Sequence, residues 1–438
     1  MADNNEENPT LDETLIITKP GTVSGNARFL AGGLGNVKGL RLAGLYAGFR
    51  RNPTRNDFML AVVEKPAVAT GVFTTNLFAA GPVTVSRDHL DKSRGEGVVA
   101  IIINSGQANA ATGQPGIDLA LHTAKVTADI VGCKQHQVLV ASTGVIGKLP
   151  YEECFEPGIS AAYQKLGLAD GTDHAAGQAA AEAIMTTDTF AKQAAVSYEF
   201  DGVKYSIGGI LKGSGMIQPN MATMLSVIAT DAPVSQAAAD LAFRIAMNLS
   251  LNKVTVDSDT STNDTAFFLA TGAAGGTEAE IGSAAYDAFL QALTTLCIEL
   301  ARQLAADGEG ATKLITVKVS RAADDLQADL AARAIANSPL VKTAIAGHDA
   351  NWGRIAMAIG KSGASFDQSD VSITLMGLPV MSGGLPVDFD EDVALQLFDE
   401  QVEIFIEVDL GTSGFGKATI WTCDLTHGYI AINADYRS

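Results

Sequence analysis

A chain of 438 residues and 45.4 kDa, 47% hydrophobic and only 18% charged, can bury large cores and lacks the charge excess of a disordered protein. Thirty Lys and Arg against 49 Asp and Glu leave a net charge of −19. That charge repels phosphate backbones and anionic membranes, so neither nucleic acid nor membrane is expected as a partner.

The predicted elements follow in chain order. Residues 1–20 read as a tail that leads into structure at Leu15-Ile-Ile. Its acidic start, Met1-Ala-Asp-Asn-Asn-Glu-Glu, lacks the features of a secretory or mitochondrial leader, so a cytosolic location is expected. Apolar, β-branched runs at 58–63 and 98–104 predict buried strands. Helical spacing covers 115–132, a strand follows at 138–141, and Thr143-Gly144 predicts a turn. The Ala-rich stretch 173–192 predicts a helix. Asp201-Gly202 is a two-residue hairpin signal.

Past a Gly-rich loop, 224–229 is apolar. Helices are predicted at 234–249, 284–305 and 321–337, and strands at 314–319, 371–375, 402–408 and 418–423. No apolar run reaches the roughly 18 residues of a membrane helix. Helices and strands alternate without a strict βαβ rhythm, so the fold class is α/β, layered, with mixed or antiparallel sheets.

The usual motif searches return little. Walker A, GxGxxG after a strand, GxSxG and HExxH are absent. Cys133, Cys154, Cys297 and Cys423 are widely spaced and read as free thiols, not as a disulfide framework or zinc site. Asp257 to Asp264 mimics a calcium loop. However, Thr262 stands where glycine is required and Phe268 where glutamate is required. Hydrogen bonding within a turn is the expected role there.

The informative segment is Lys212-Gly-Ser-Gly-Met-Ile-Gln-Pro-Asn-Met-Ala-Thr-Met-Leu-Ser226. Its small residues permit unusual backbone angles, and Pro219 holds Gln218 extended. Thr223, after Ala222, can attack the preceding carbonyl, shift the bond to an ester and let water release it. The new N-terminal threonine then carries a nucleophilic hydroxyl and an α-amine base in one residue. A plain glycine loop feeding a buried strand explains the same residues.

Further blocks decide between these readings. They are Asn104-Ser-Gly-Gln-Ala-Asn109, Ser142-Thr-Gly-Val-Ile-Gly147, Met185-Thr-Thr-Asp-Thr189, Val256 to Asp264, Gly308-Glu-Gly-Ala-Thr-Lys313, Gly347 to Arg354 and Ile432 to Ser438. In this order, with the Lys212–Ser226 segment, they resemble the ornithine acetyltransferase family of arginine biosynthesis from about residue 21 to the end.

That resemblance implies the layered αββα-type sandwich of the ornithine acetyltransferase/aminopeptidase superfamily, with mixed sheets. It implies a self-made cut between Ala222 and Thr223, giving chains of 222 and 216 residues that stay together, two copies of each. Thr223 then moves the acetyl group of N2-acetylornithine to L-glutamate.

By the same resemblance, Thr143 and Gly144 form the oxyanion hole. Thr186, Lys212, Thr223, Glu309, Asn433 and Ser438 bind substrate, with Thr187 a neighbour that can be confused with Thr186. Lys212 suits an α-carboxylate and Glu309 an ammonium group. The Gly347 to Arg354 block reads as scaffold or subunit contact. No metal or organic cofactor is implied, and acetyl-CoA is left open as a second donor.

Gln218, Gln107, Ala111 and Ser258 depart from the family's usual His, Asn, Cys and Gly. Two rivals stand beside this reading. One is an amidase or aminopeptidase using the same threonine, and the other is an uncut binding protein.

Overall fold

The computed structural model describes residues 26–218 and 224–435. These form two compact units, one from residues 26–309 with 429–435, the other from Gly310–Gly428. The division expected at Ala222/Thr223 is covalent, and both residues lie outside the described ones, as does the predicted tail.

The larger unit carries nine strands: β1 (Arg28–Leu30), β2 (Leu40–Leu45), β3 (Phe58–Phe73), β4 (Val98–Gln107), β5 (Val138–Val145), β6 (Lys192–Phe200), β7 (Val203–Lys212), β8 (Leu225–Thr230) and β9 (Thr265–Ala270). Their order is β1-β6-β7-β8-β9-β3-β4-β5, with β2 also paired to β3. The long β3 joins two halves. Its first part pairs with β2 and β4, and its last part with β9. The register slips between Val62 and Ala67, around Pro66, which has no N–H to give a ladder.

Strand alternation then sets the layers. Met59, Ala61 and Val63 of β3 share a core with Val227 of β8 and with Phe267 and Leu269 of β9. The alternate residues Phe58, Leu60 and Val62 face Leu119, Ala124 and Ile159 of helices Gly113–Val131 and Phe155–Gln164. On the far side, Phe268 meets Phe243 and Phe289 at 5.5 and 5.8 Å between ring centroids. Those two rings belong to helices Gln236–Leu249 and Ala284–Ala306. The result is the expected αββα sandwich. Each such buried aromatic or aliphatic side chain contributes roughly 1.5–3 kcal/mol.

Two local expectations are corrected. Thr143 and Gly144 do not form a turn. They continue β5 in parallel register with Ser105 and Gly106 of β4, because paired glycines let the backbones approach. The helix predicted over 173–192 is only His174–Ala183. Asp188 accepts from the Thr186 N–H at 2.7 Å, a local bond that competes with helix, and Lys192 already opens β6. The Asp201-Gly202 hairpin is present, with φ of 51° and 75°, as a primed turn requires.

In the smaller unit, β10 (Leu314–Ala322), β11 (Ser372–Leu375), β12 (Leu378–Ser382), β13 (Leu385–Pro386), β14 (Glu403–Asp409) and β15 (Gly416–Cys423) form one mixed sheet. β10 runs parallel to β14 and antiparallel to β15. Ile315, Val317 and Ile406 pack with Ala331 and Ile335 of helix Asp325–Ala336. Asn351 caps helix Trp352–Gly360 through the Arg354 N–H, and the Arg354 guanidinium donates to the Leu340 carbonyl at 2.8 Å. These bonds tie the Gly347 to Arg354 block into this unit. Cys297 and Cys423 are buried and Cys133 and Cys154 half-buried, and no disulfide joins any of the four.

Candidate functional site

A cavity of about 220 Å³ opens in the larger unit. Thr143, Gly144, Thr186, Lys212, Glu309 and Asn433 all line it. These are the described members of the predicted site. Ala222, Thr223 and Ser438 fall outside the described residues. Thr187 lines the cavity beside Thr186, so position does not separate them.

The strand end of β5 presents Thr143 and Gly144. Thr143 is buried, and its Oγ1 accepts a hydrogen bond from Lys212 Nζ at 3.3 Å. That leaves the hydroxyl proton available to donate elsewhere. Gly144 has φ of +126°, and a Cβ there would lie 2.3 Å from the Gly106 carbonyl carbon and oxygen. Only glycine fits. Gly144→Ala is expected to lower stability by about 1–3 kcal/mol through this overpacking. Urea unfolding of the variant beside the unaltered protein checks it, and an unchanged midpoint contradicts the close approach.

Lys212 ends β7. Burial pushes its ammonium below the ordinary lysine value, against the pull of Asp188 and Asp264. Glu309 follows helix Ala284–Ala306 and is buried. Its Oε2 accepts from Asn433 Nδ2 at 2.6 Å, and its N–H donates to the Ser214 carbonyl at 3.0 Å. A Cβ on Gly215 would come within 2.4 Å of the Glu309 carboxylate, so the glycine loop makes room for it. Asn433 lies on helix His427–Asp435, whose residues from Tyr429 return to this unit.

Sequence reasoning missed the support beneath these residues. Lys192 is fully buried between two carboxylates: Asp188 Oδ1 at 2.6 Å, and Asp307, which it also contacts closely. Asp188 accepts from the Thr186 and Gly213 N–H groups, both at 2.7 Å. Asp307 accepts from Thr189 Oγ1 at 2.5 Å. One buried trio thus fixes the Thr186 block, the glycine loop and the approach to Glu309. Burial opposes ionisation of Asp188, but the Lys192 and Lys212 ammonium groups outweigh it and hold its carboxyl well below the usual range. For Asp307, burial wins over Lys192 and its carboxyl is pushed up. Burial would lower Lys192, but Asp188 and Asp307 raise it. The Asp188–Lys192 spacing is visible in sequence, whereas the meeting with Asp307 is not.

The loop from Asp257 to Asp264 serves as turn chemistry. Asp257 accepts from the Met216 and Ile217 N–H groups at 2.6 and 2.8 Å. Asn263 Nδ2 donates to the Ala108 and Ser142 carbonyls, which braces β5 beside Thr143. Ser258 and Ala111, two departures from the family pattern, have φ of 66° and 55°. Among the described residues, no cluster of three or more His, Cys, Asp or Glu is placed to hold a metal. Among them, too, no helix is long and apolar enough to cross a membrane.

Lysine, glutamate and hydroxyl groups converge on one polar cavity, so its lining offers a cation, a carboxylate and hydrogen-bond donors together. The chain belongs to the ArgJ family, whose model matches residues 41–438. It is 46% identical over 412 residues to an arginine biosynthesis bifunctional protein ArgJ of Symbiobacterium thermophilum, covering 94% of this chain and all of that one. The protein of the same name from Chlorobaculum tepidum is 46% identical over 402 residues, covering 92% and 96% of the two chains. A solved structure of an arginine biosynthesis bifunctional protein argJ from Bacillus halodurans is similar at 42% identity and a TM-score of 0.48. It spans 49% of this chain and all of that one. The ordered sequence blocks had pointed to this family.

Proposed function

We propose that the chain transfers the acetyl group of N2-acetylornithine to L-glutamate, after cutting itself between Ala222 and Thr223. The observation that carries this reading is the convergence of six family-matched residues on one cavity in an ArgJ-family chain. Fold alone would not carry it.

In the proposed cycle, Thr223 Oγ attacks the acetyl carbonyl carbon and its proton passes to the Thr223 α-amine. The tetrahedral oxyanion takes hydrogen bonds from the Thr143 hydroxyl and the Gly144 N–H, each donor worth roughly 2.7–4 kcal/mol. The proton then moves to the ornithine nitrogen, the C–N bond breaks, and ornithine leaves an acetyl ester on Thr223. The amine of glutamate attacks that ester and loses its proton to the same base, the bond from the acetyl carbon to Thr223 Oγ breaks as Oγ takes that proton back, and N-acetylglutamate departs. Lys212 pairs with an α-carboxylate, and Glu309 with an ammonium group held beside Asn433. Thr186 and Ser438 complete substrate binding. No metal or organic cofactor enters these steps, and acetyl-CoA is a second candidate donor. The proposal includes a cytosolic setting and an assembly of two copies of each cut chain, tested by cell fractionation and native mass spectrometry.

Denaturing mass spectrometry before and after a soak in N2-acetylornithine tests the reading. Two chains are expected, the second beginning at Thr223 and gaining one acetyl group that glutamate removes. Acetate released without glutamate points to a hydrolase instead. One uncut chain that never gains acetyl overturns the reading in favour of a binding protein.

A further inference from the structure

Both halves of the proposed cycle handle the same acyl group. Its methyl carries no polar atom and is bonded directly to the reacting carbon. With the carbonyl oxygen held by the Thr143 hydroxyl and the Gly144 N–H, the methyl is confined to the wall beside them.

Ala108 and Ile146 stand at that place. Both line the cavity that Thr143 and Gly144 line. β4 and β5 run parallel, with Gly106 opposite Gly144 and Gln107 opposite Val145. Ala108 and Ile146 are the next residue on each chain segment, so they sit side by side just past the oxyanion pair. The Ala108 N–H donates to the Val145 carbonyl and the Gly147 N–H to the Ala110 carbonyl, both at 2.9 Å. These bonds pin Ile146 from either side. Asn263 Nδ2 donates to the Ala108 and Ser142 carbonyls, which ties the two strand ends together.

The wall is also backed. Ala108 is 3% exposed, and Ile146 packs with it against Ala80, Val83 and Ala110. Close-packed side chains do not recede to admit an added methylene. Met216 is a further apolar residue in the lining, but it belongs to the glycine loop, where Asp257 holds its N–H at 2.6 Å. The charged groups Lys212 and Glu309 are carried by β7 and by the segment after helix Ala284–Ala306, not by β4 or β5. The apolar part of the lining at the oxyanion pair is therefore supplied by Ala108 and Ile146.

We infer that Ala108 and Ile146 form the acyl slot of this site and set the length of the acyl group it transfers. A methyl lies against the pair, and a longer straight chain meets the Ile146 side chain. The inference rests on the acetyl-transfer reading above and names the residues that restrict it to acetyl.

The test uses the full-length protein, with N2-acetylornithine and N2-propionylornithine as donors to glutamate, each measured as kcat/KM. The unaltered protein is expected to use the propionyl donor at least about 10-fold less well, the lower end of what one methylene is worth in an apolar pocket. Ile146→Ala is expected to raise the propionyl-to-acetyl ratio by about 10-fold or more, and Ile146→Val to raise it by a smaller step. The ratio separates a slot from a merely structural role, because a loosened fold slows both donors together. A ratio left unchanged in both folded variants overturns the slot while acetyl transfer stands, and so does equal use of the two donors by the unaltered protein. Should Ile146→Ala not fold, the Ile146→Val ratio and the donor preference of the unaltered protein decide. If the unaltered protein transfers neither acyl group, the transfer reading itself has failed and the slot with it.

Discussion

Thr223→Ala is expected to leave a single chain of 45.4 kDa that neither takes up an acetyl group nor transfers one. The side-chain oxygen is asked to act twice, first on its own backbone and then on the substrate, so both activities should vanish together. Loss of a nucleophile that works as a unit with its base costs roughly a million-fold in kcat.

Thr223→Ser separates chemistry from packing. It keeps Oγ and, once cut, the α-amine, so two chains and measurable transfer are expected. An unperturbed α-amine titrates at about 7.7–8.0. Transfer by the cut enzyme should therefore decline as pH falls below that range and the base takes up its proton. Intact mass gives the number of chains, and a coupled assay of N-acetylglutamate gives the rate. A Thr223→Ala chain that is still cut before residue 223, or that still transfers acetyl, removes Thr223 from the mechanism.

Much of the fold was legible because burial imposes a period. The run 98–104 becomes β4, with Ile101 and Ile103 on one face and Ala100 and Ile102 on the other. The strand at 265–270, all of it buried, sat behind a loop rich in Asp, Ser and Thr and gave no boundary signal. The second unit was missed because Gly310 carries no linker composition, and nothing local tells that Tyr429 returns to the first unit.

The site divides in the same way. Thr143, Lys212 and Glu309 were read from short blocks of sequence, and the chain brings them to one cavity. The contacts that hold them were not readable, since Thr189 and Asp307 stand 118 residues apart yet hydrogen-bond. Gly215 lies in the loop expected to take unusual backbone angles, yet it is not among the positive-φ glycines. Its missing side chain instead leaves space for the Glu309 carboxylate.

Lys192→Met is expected to be the costlier change for the fold, by about 3–5 kcal/mol near neutral pH, because it leaves partners of a buried ion cluster without their counter-charge. The side chain is fully buried between Asp188 and Asp307, so no water replaces the ammonium. The signs of the shifts set the pH window. Asp188 is depressed on folding, so its contribution is present above about pH 3.9, the unfolded value, and is lost as pH falls through the folded value. Lys192 is raised, so its contribution is complete below about pH 10.4 and is lost as pH rises through the folded value. Asp307 is raised and runs the other way, costing stability once pH exceeds about 3.9. Asp188 and Lys192 therefore both contribute fully between these limits, against the opposing cost of Asp307.

In Lys192→Met, Asp307 loses its cation, Asp188 keeps only the Lys212 ammonium, and the two carboxyls repel each other, so each shifts towards its protonated form. The deficit should shrink between about pH 7 and pH 5 as they take up protons. Adding Asp307→Asn removes one of the two charges and should recover part of the loss, a coupling expected of groups in one network. Urea unfolding of the unaltered, single and double variants at both pH values tests this, and equal stability of Lys192→Met at neutral pH refutes it. The same substitution should also slow transfer, since Asp188 holds the Thr186 and Gly213 N–H groups and can hold them in place only while it is itself held by Lys192.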